Sequence, residues 1–166
     1  MLLSAAANAR CARYSLQALF ADKRRSQTKL GLPTIIGEWG AFPSKPFTND
    51  LIRHMNGILE QYLWSSTYWQ WMPGIENDPN YSDLSRAYPM VTAGELRAYH
   101  YDAEEKALSL CYEARENGVS TLYCPFIPSS LEASAPVSTE IEKISDAACT
   151  VQIRVEAGSE LTLRVS

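Results

Sequence analysis

The sequence predicts an α/β segment followed by an all-β one, and two observations carry that prediction. Up to about residue 72, apolar residues at helical spacing alternate with short uncharged β-branched or aromatic runs, the order expected of a parallel-sheet fold. From Glu95 onward the apolar period becomes two and turn-forming residues separate the runs, which is the pattern of short antiparallel strands. The 166 residues leave room for one domain or two small ones, each with its own core. The change of character falls near residue 93, so the expected parts are 1–93 and 94–166.

The elements follow in order. Residues from about Ser4 to Leu30 form a helix on this reading, with Tyr14, Leu16, Leu19 and Phe20 as its apolar stripe. Gly31 ends it as a left-handed C-terminal residue. Thr34-Ile35-Ile36-Gly37 is a short uncharged run that suits a parallel strand buried on both faces. A prolyl loop, Pro43 to Pro46, leads to Thr48 as N-cap. Leu51, Ile52, Met55, Ile58, Leu59 and Tyr62 then recur at helical spacing. Ser66 to Trp71 is a second strand-like run, and residues 73–93 a long loop rich in Pro, Asn, Asp and Tyr. Beyond it Tyr99 and Tyr101 alternate, Asp102 to Lys106 turns the chain, and Leu108, Leu110 and Tyr112 alternate in turn. Asn117-Gly118 signals a hairpin into the strand-like run Val119 to Phe126. A Ser/Ala/Pro-rich stretch precedes two last alternating runs, Val151-Ile153-Val155 and Leu161-Leu163-Val165. Five or six short strands of this kind fit a small antiparallel β-sandwich.

Composition narrows the function. Hydrophobic residues at 46% and charged residues at 20% exclude wholesale disorder. A net charge of −4 argues against a nucleic-acid partner, which would need a basic face. The one basic run, Lys23-Arg24-Arg25, reads as a solvated helix end. No apolar run approaches the roughly 18 residues of a membrane span, so no transmembrane segment is expected. The stretch Met1 to Ala7 lacks the basic start of a leader and runs on into the helix, so it is not read as a signal peptide. With two histidines, and four cysteines (Cys11, Cys111, Cys124, Cys149) that form no CxxC pair, neither a metal site nor a cofactor is expected. Cysteines this sparse are compatible with thiols or disulfides, which leaves the compartment open.

Glu38 follows the apolar run directly, between Gly37 and Trp39, at a strand's C-terminal end, where parallel α/β folds place their active sites. Such a carboxylate serves either as a catalytic group or as a structural one paired with an Arg or a helix N-terminus. Trp69 and Trp71, on one side of the next strand, suit either sugar stacking or core packing. Glu76, Asp78 and Asp83 in the long loop either line a cleft or are solvated charges, the second being the simpler expectation.

Four ordered motifs resemble one family. Leu32-Pro33-Thr34-Ile35-Ile36-Gly37-Glu38-Trp39-Gly40 is similar to the seventh barrel strand of glycoside hydrolase family 5. Trp69-Gln70-Trp71-Met72-Pro73 resembles its eighth strand. Asp83 to Pro89, followed by Thr92-Ala93-Gly94, resembles the junction found in the branch of endoglycoceramidases and related glycolipid β-glucosidases. Tyr99-His100-Tyr101-Asp102 resembles the first strand of the β-sandwich that follows the barrel there. The resemblance implies the last two strands of a (β/α)₈ barrel followed by that sandwich. It implies Glu38 as the nucleophile, Trp69 as the sugar platform, Trp39 and Trp71 as further substrate contacts, and Arg86 as a tie between loop and sandwich. Its substrate would be a carbohydrate or glycolipid.

Retaining glycosidases need two carboxyl groups ~5 Å apart. The family's acid/base is the Glu of an Asn-Glu pair on the fourth strand, and this chain has no Asn-Glu dipeptide. A complete barrel takes about 200 residues or more. The expectation is therefore a C-terminal portion of a retaining β-glycosidase, inactive by itself and partnered by the remaining barrel. The alternative is a non-catalytic sandwich that binds through exposed Tyr81, Tyr88, Tyr99 and Tyr101. A small unrelated α/β domain fits the ordered motifs less well.

Overall fold

The structure, a computed structural model, describes residues 5–40, 47–158 and 160–166, with side chains from residue 14 onward. The expected prolyl loop at Pro43 to Pro46 and the stretch Met1 to Ser4 lie outside these residues. The chain divides into two compact units, one ending at Leu84 and the other running Ser85–Ser166.

The first unit opens with α1 (Ala5–Leu30). Gly31 closes it with φ +64° and donates its N–H to Gln27 O at 2.8 Å. Next come β1 (Ile35–Trp39), α2 (Thr48–Tyr62) and β2 (Ser65–Tyr68). β1 and β2 pair in parallel, as the helix between them requires. Phe20 of α1 packs with Met55, Ile58 and Leu59 of α2 and with Trp64, and Leu16, Ile36, Trp39 and Tyr62 border this core. Each fully buried side chain of this kind contributes about 1.5–3 kcal/mol. Gln27 binds the cluster to the chain that follows α1: its Oε1 accepts from Trp64 Nε1 at 3.0 Å and its Nε2 donates to Leu32 O at 2.9 Å.

Three local expectations change here. The α1 stripe is narrower than the spacing suggests, because Tyr14 and Leu19 are exposed and Phe20 alone of the four is buried. Thr48 is the first helical residue rather than the cap; Phe47 holds that position, and its carbonyl accepts the Leu51 N–H at 3.0 Å. β1 is not buried on both faces: Ile35 is 63% exposed, because β2 is its one strand neighbour among the described residues. Lys23, Arg24 and Arg25 are exposed, with Arg25 paired to Asp22 at 2.7 Å.

The long loop is more structured than its composition suggests. It contains a 3₁₀ turn (Ile75–Asn77), α3 (Tyr81–Leu84) and β3 (Tyr88–Val91). β3 pairs with a strand of the second unit, so the boundary between units precedes it, at Leu84/Ser85 rather than at the change of composition near residue 93.

The second unit continues with β4 (Gly94–Asp102), β5 (Ala107–Ala114), β6 (Gly118–Cys124), β7 (Leu131–Ala133), β8 (Ser138–Lys143), β9 (Cys149–Val155) and β10 (Glu160–Val165). They form two four-stranded antiparallel sheets, ordered β4-β5-β10-β7 and β3-β6-β9-β8. Inward side chains of both sheets enter one apolar cluster, including Leu108, Leu110 and Tyr112 of β5, Leu122 of β6, Ile153 of β9 and Leu163 of β10. The turn after β4 forms as the sequence suggests, with Asp102 Oδ1 accepting the N–H groups of Glu104 at 2.9 Å and Glu105 at 3.0 Å. Gly94 lies so close to β5 that a Cβ would stand 1.8 Å from Glu113 O.

Asn117-Gly118 is not a hairpin turn. β5 and β6 belong to different sheets, and the segment carries the chain from one to the other. The Asn117 Oδ1 accepts the N–H of Ala157 at 2.8 Å and so joins this crossing to the one between β9 and β10. The Ser/Ala/Pro-rich stretch contains β7 and β8, both edge strands, which raises the unit to eight strands. Every side chain of β8 is exposed, so no apolar alternation announces it.

Candidate active site

The carboxyl ends of β1 and β2 form one wall of a cleft of about 620 Å³. The register of the pair sets Trp39 opposite Tyr68. One further bond, from Trp69 N to Trp39 O at 2.7 Å, carries the pairing past the end of β2. Gly40 is obligatory at this point, because a Cβ there would stand 2.1 Å from Trp69 O. The Thr67 hydroxyl donates to Gly37 O, and Trp39 Nε1 donates to Ser66 Oγ at 3.0 Å. The Trp39 and Tyr68 rings meet edge to face, 5.1 Å between centroids. The peptide bond between Trp69 and Gln70 is cis.

Glu38, Trp39 and Trp69 all line this cleft. Glu38 is exposed, and among the described residues no hydrogen bond or ion pair engages its carboxylate. Trp69 is 60% exposed, which sets it apart from core tryptophans such as Trp64 at 3%. Trp71 does not line the cleft. β2 ends at Tyr68, so Trp69 and Trp71 follow the strand instead of sharing one of its faces.

The opposite wall comes from the segment after β2: Met72, Ile75, Asp78, Asn80 and Leu84. Asp78 Oδ1 accepts both the backbone N–H of Asn80, at 2.8 Å, and its side-chain amide, at 2.7 Å, a local Asx turn that shapes this wall. Asp83 is not a solvated charge. It is buried, and its carboxylate accepts from Asn49 Nδ2 at 2.7 Å and Arg53 Nε at 2.8 Å, while its carbonyl accepts from Asn56 Nδ2 at 2.9 Å. These bonds fasten α3 to α2 and hold the cleft wall that ends at Leu84. The Asp-Pro-Asn run at residues 78–80 was the available sequence signal for this wall; Met72, Ile75 and Leu84 gave none.

Among the described residues, the titratable side chains lining the cleft are Glu38, Asp78 and Tyr68. Its indole suits the apolar face of a ring, and its carboxylate an electrophilic centre. Among the described residues no group of three or more His, Cys, Asp or Glu is placed to hold a metal ion, and no helix is long and apolar enough to cross a membrane.

In the second unit Arg86 is half-buried, within electrostatic reach of Tyr99 and Tyr101 of β4. Burial lowers its guanidinium below the ordinary value, and the two phenols oppose that shift. Burial in turn raises the Tyr99 and Tyr101 hydroxyls. Of the four tyrosines open to a binding role, Tyr88 alone is exposed; Tyr81, Tyr99 and Tyr101 are half-buried.

No protein-family model and no curated protein matches the chain. Solved structures do. Endo-glycoceramidase II from Rhodococcus sp., in a structure described as its lactosyl-enzyme intermediate, aligns with a TM-score of 0.73 at 20% identity, covering 92% of this chain and 37% of that one. An endogalactoceramidase aligns with a TM-score of 0.65 at 16% identity, covering 86% and 35%. Sterylglucosidase 1 of Cryptococcus neoformans aligns with a TM-score of 0.66 at 12% identity, covering 93% and 32%. At these identities the likeness is one of fold. The chain spans about a third of the length of the structures it matches.

Proposed function

We propose that these residues form the C-terminal portion of a retaining β-glycosidase of the family 5 type, acting on a β-linked sugar carried by a lipid or another aglycone. The observation that carries the reading is the juxtaposition of the exposed Glu38 carboxylate with the exposed Trp69 indole in one cleft, at the mouth of two parallel strands. The fold likeness to glycosidases supports it, and the lactosyl-enzyme intermediate of one neighbour matches the covalent chemistry assigned to Glu38. β1 and β2 are then the last two strands of a (β/α)₈ barrel, and the two sheets of the second unit are the β-sandwich that follows it.

In this reading Trp69 stacks on the apolar face of the sugar, and Trp39, held by Ser66, borders the ring. The ionised Glu38 attacks the anomeric carbon and forms a glycosyl ester. A second carboxyl group ~5 Å away protonates the leaving oxygen and then activates water. Asp78 is engaged in its Asx turn and the chain has no Asn-Glu pair, so in this reading the acid/base is supplied by polypeptide outside these 166 residues. The chain alone then does not turn over glycosides.

The experiment uses the gene product that includes in-frame sequence upstream of Met1, assayed on an aryl β-glucoside and on a glycosylated lipid. The expected result is hydrolysis with retained anomeric configuration, reduced by roughly 10³-fold or more in Glu38→Gln. Full activity in that variant, or inversion of configuration, removes Glu38 from the role. Turnover by the 166-residue chain that depends on Glu38 refutes the need for an outside acid/base.

A further inference from the structure

We propose that Cys124 and Cys149 form a disulfide site that staples β6 to β9. Cys124 is the last residue of β6 and Cys149 the first of β9, and the antiparallel register sets them directly opposite each other. Directly opposed residues in such a ladder have Cα atoms about 4.5–5.5 Å apart. That separation lies inside the range of about 4.4–6.8 Å that a disulfide spans, so the backbone register permits the bond. Both side chains belong to the core cluster of the second unit, both are fully buried, and both are free thiols in this structure. Cys149 Sγ also donates to Phe126 O at 3.4 Å, which turns it toward the end of the ladder where Cys124 stands.

The placement has a purpose in the fold. The segment between the two cysteines holds β7 and β8, which lie in different sheets, and β8 buries none of its side chains. A bond between residues 124 and 149 closes this segment at its base. Cys111, on the other sheet, neighbours Glu160 and does not compete for the pair.

Closure requires an oxidant, and a small-molecule disulfide such as oxidised glutathione suffices. One cysteine thiolate attacks a sulfur of that disulfide and expels a first thiolate. The second cysteine thiolate then attacks the mixed disulfide at the protein sulfur and expels the second. The two cysteines lose two protons and two electrons, and the oxidant leaves as two molecules of thiol. In the folded chain the reaction is slow, because burial pushes the Cys124 thiol up to about 12 and raises that of Cys149 as well. Closure therefore belongs to folding in an oxidising compartment, before the core shuts.

The test is to refold the full chain from denaturant in a buffer of oxidised and reduced glutathione, then map disulfides by proteolysis and mass spectrometry. The expected product carries one intramolecular bond, Cys124–Cys149, and melts roughly 5–15 °C above the dithiothreitol-treated chain in the transition of the second unit. Refolded chain in which both residues remain thiols or glutathione adducts, or in which either pairs with Cys11 or Cys111, overturns the proposal.

Discussion

Replacing Asp83 with alanine should unfasten α3 from α2 and weaken the first unit. The Asp83 side chain is 1% exposed, while that of its partner Arg53 is 55% exposed. Two charge-assisted hydrogen bonds reach its carboxylate, at 2.7 and 2.8 Å, each worth about 1.5–3 kcal/mol when shielded from water. Arg53 recovers water once the carboxylate is gone, so its share falls to about 0.5–1 kcal/mol. Asn49 is half-buried and loses the larger part of its bond, about 1.5 kcal/mol. The expected loss is about 2 kcal/mol, or roughly 10 °C in the melting temperature of a unit this small. The assay is tryptophan fluorescence, excited selectively over tyrosine, during urea unfolding. All four tryptophans (Trp39, Trp64, Trp69 and Trp71) precede Ser85, so the signal reports the first unit alone. An unchanged midpoint in Asp83→Ala, with an unchanged slope, would refute the reasoning, because it would mean that a buried carboxylate with two donors contributes nothing net.

Gly40→Ala sets a Cβ against Trp69 O, so it should break the Trp39–Trp69 hydrogen bond and shift the tryptophan emission of the native chain to longer wavelength; an unchanged spectrum counts against the close approach. Amide exchange should be fast across Ile35–Trp39, where the strand has one partner and Ile35 is exposed, and slow across the central strands β6 and β9; equal protection in both contradicts this. Asp102 accepts the N–H groups of Glu105 and Glu104, which holds its carboxyl below the ordinary value. The stabilisation from this turn is therefore present above the unfolded value near 3.8 and fades as pH falls through the lower folded value. A carboxyl NMR titration of Asp102 with a midpoint at or above 3.8 would show the turn bonds to be absent.

Much of the order of elements was legible from local chemistry. Gly31 ends α1 because a left-handed residue favours glycine, and Asp102 turns the chain with its own carboxylate. The alternation of Leu108, Leu110 and Tyr112 marks a strand with one buried face. Glu38 stood out because an apolar run delivers it to a strand end. β7 and β8 were not legible: edge strands bury little, so their residues carry no periodic signal. Asp83 was misread as solvated because its partners Asn49, Arg53 and Asn56 lie on a helix some thirty positions away.

The sequence by itself determined what depends on neighbours along the chain: helices by spacing, strands by alternation, turns by Gly, Asn and Asp, and the motif that sets Glu38 between Gly37 and Trp39. Only the tertiary structure decided which strands pair and what the loop residues touch. Asn117-Gly118 carries the sequence of a hairpin, yet β5 pairs with β10 and β6 with β9. The reason is energetic: burying Leu110 against Leu122 and Ile153 in one core outweighs the preference of a two-residue turn. In the same way, bonds across the β1–β2 mouth, and not any local pattern, set Glu38, Trp39 and Trp69 around one cleft and left Trp71 outside it.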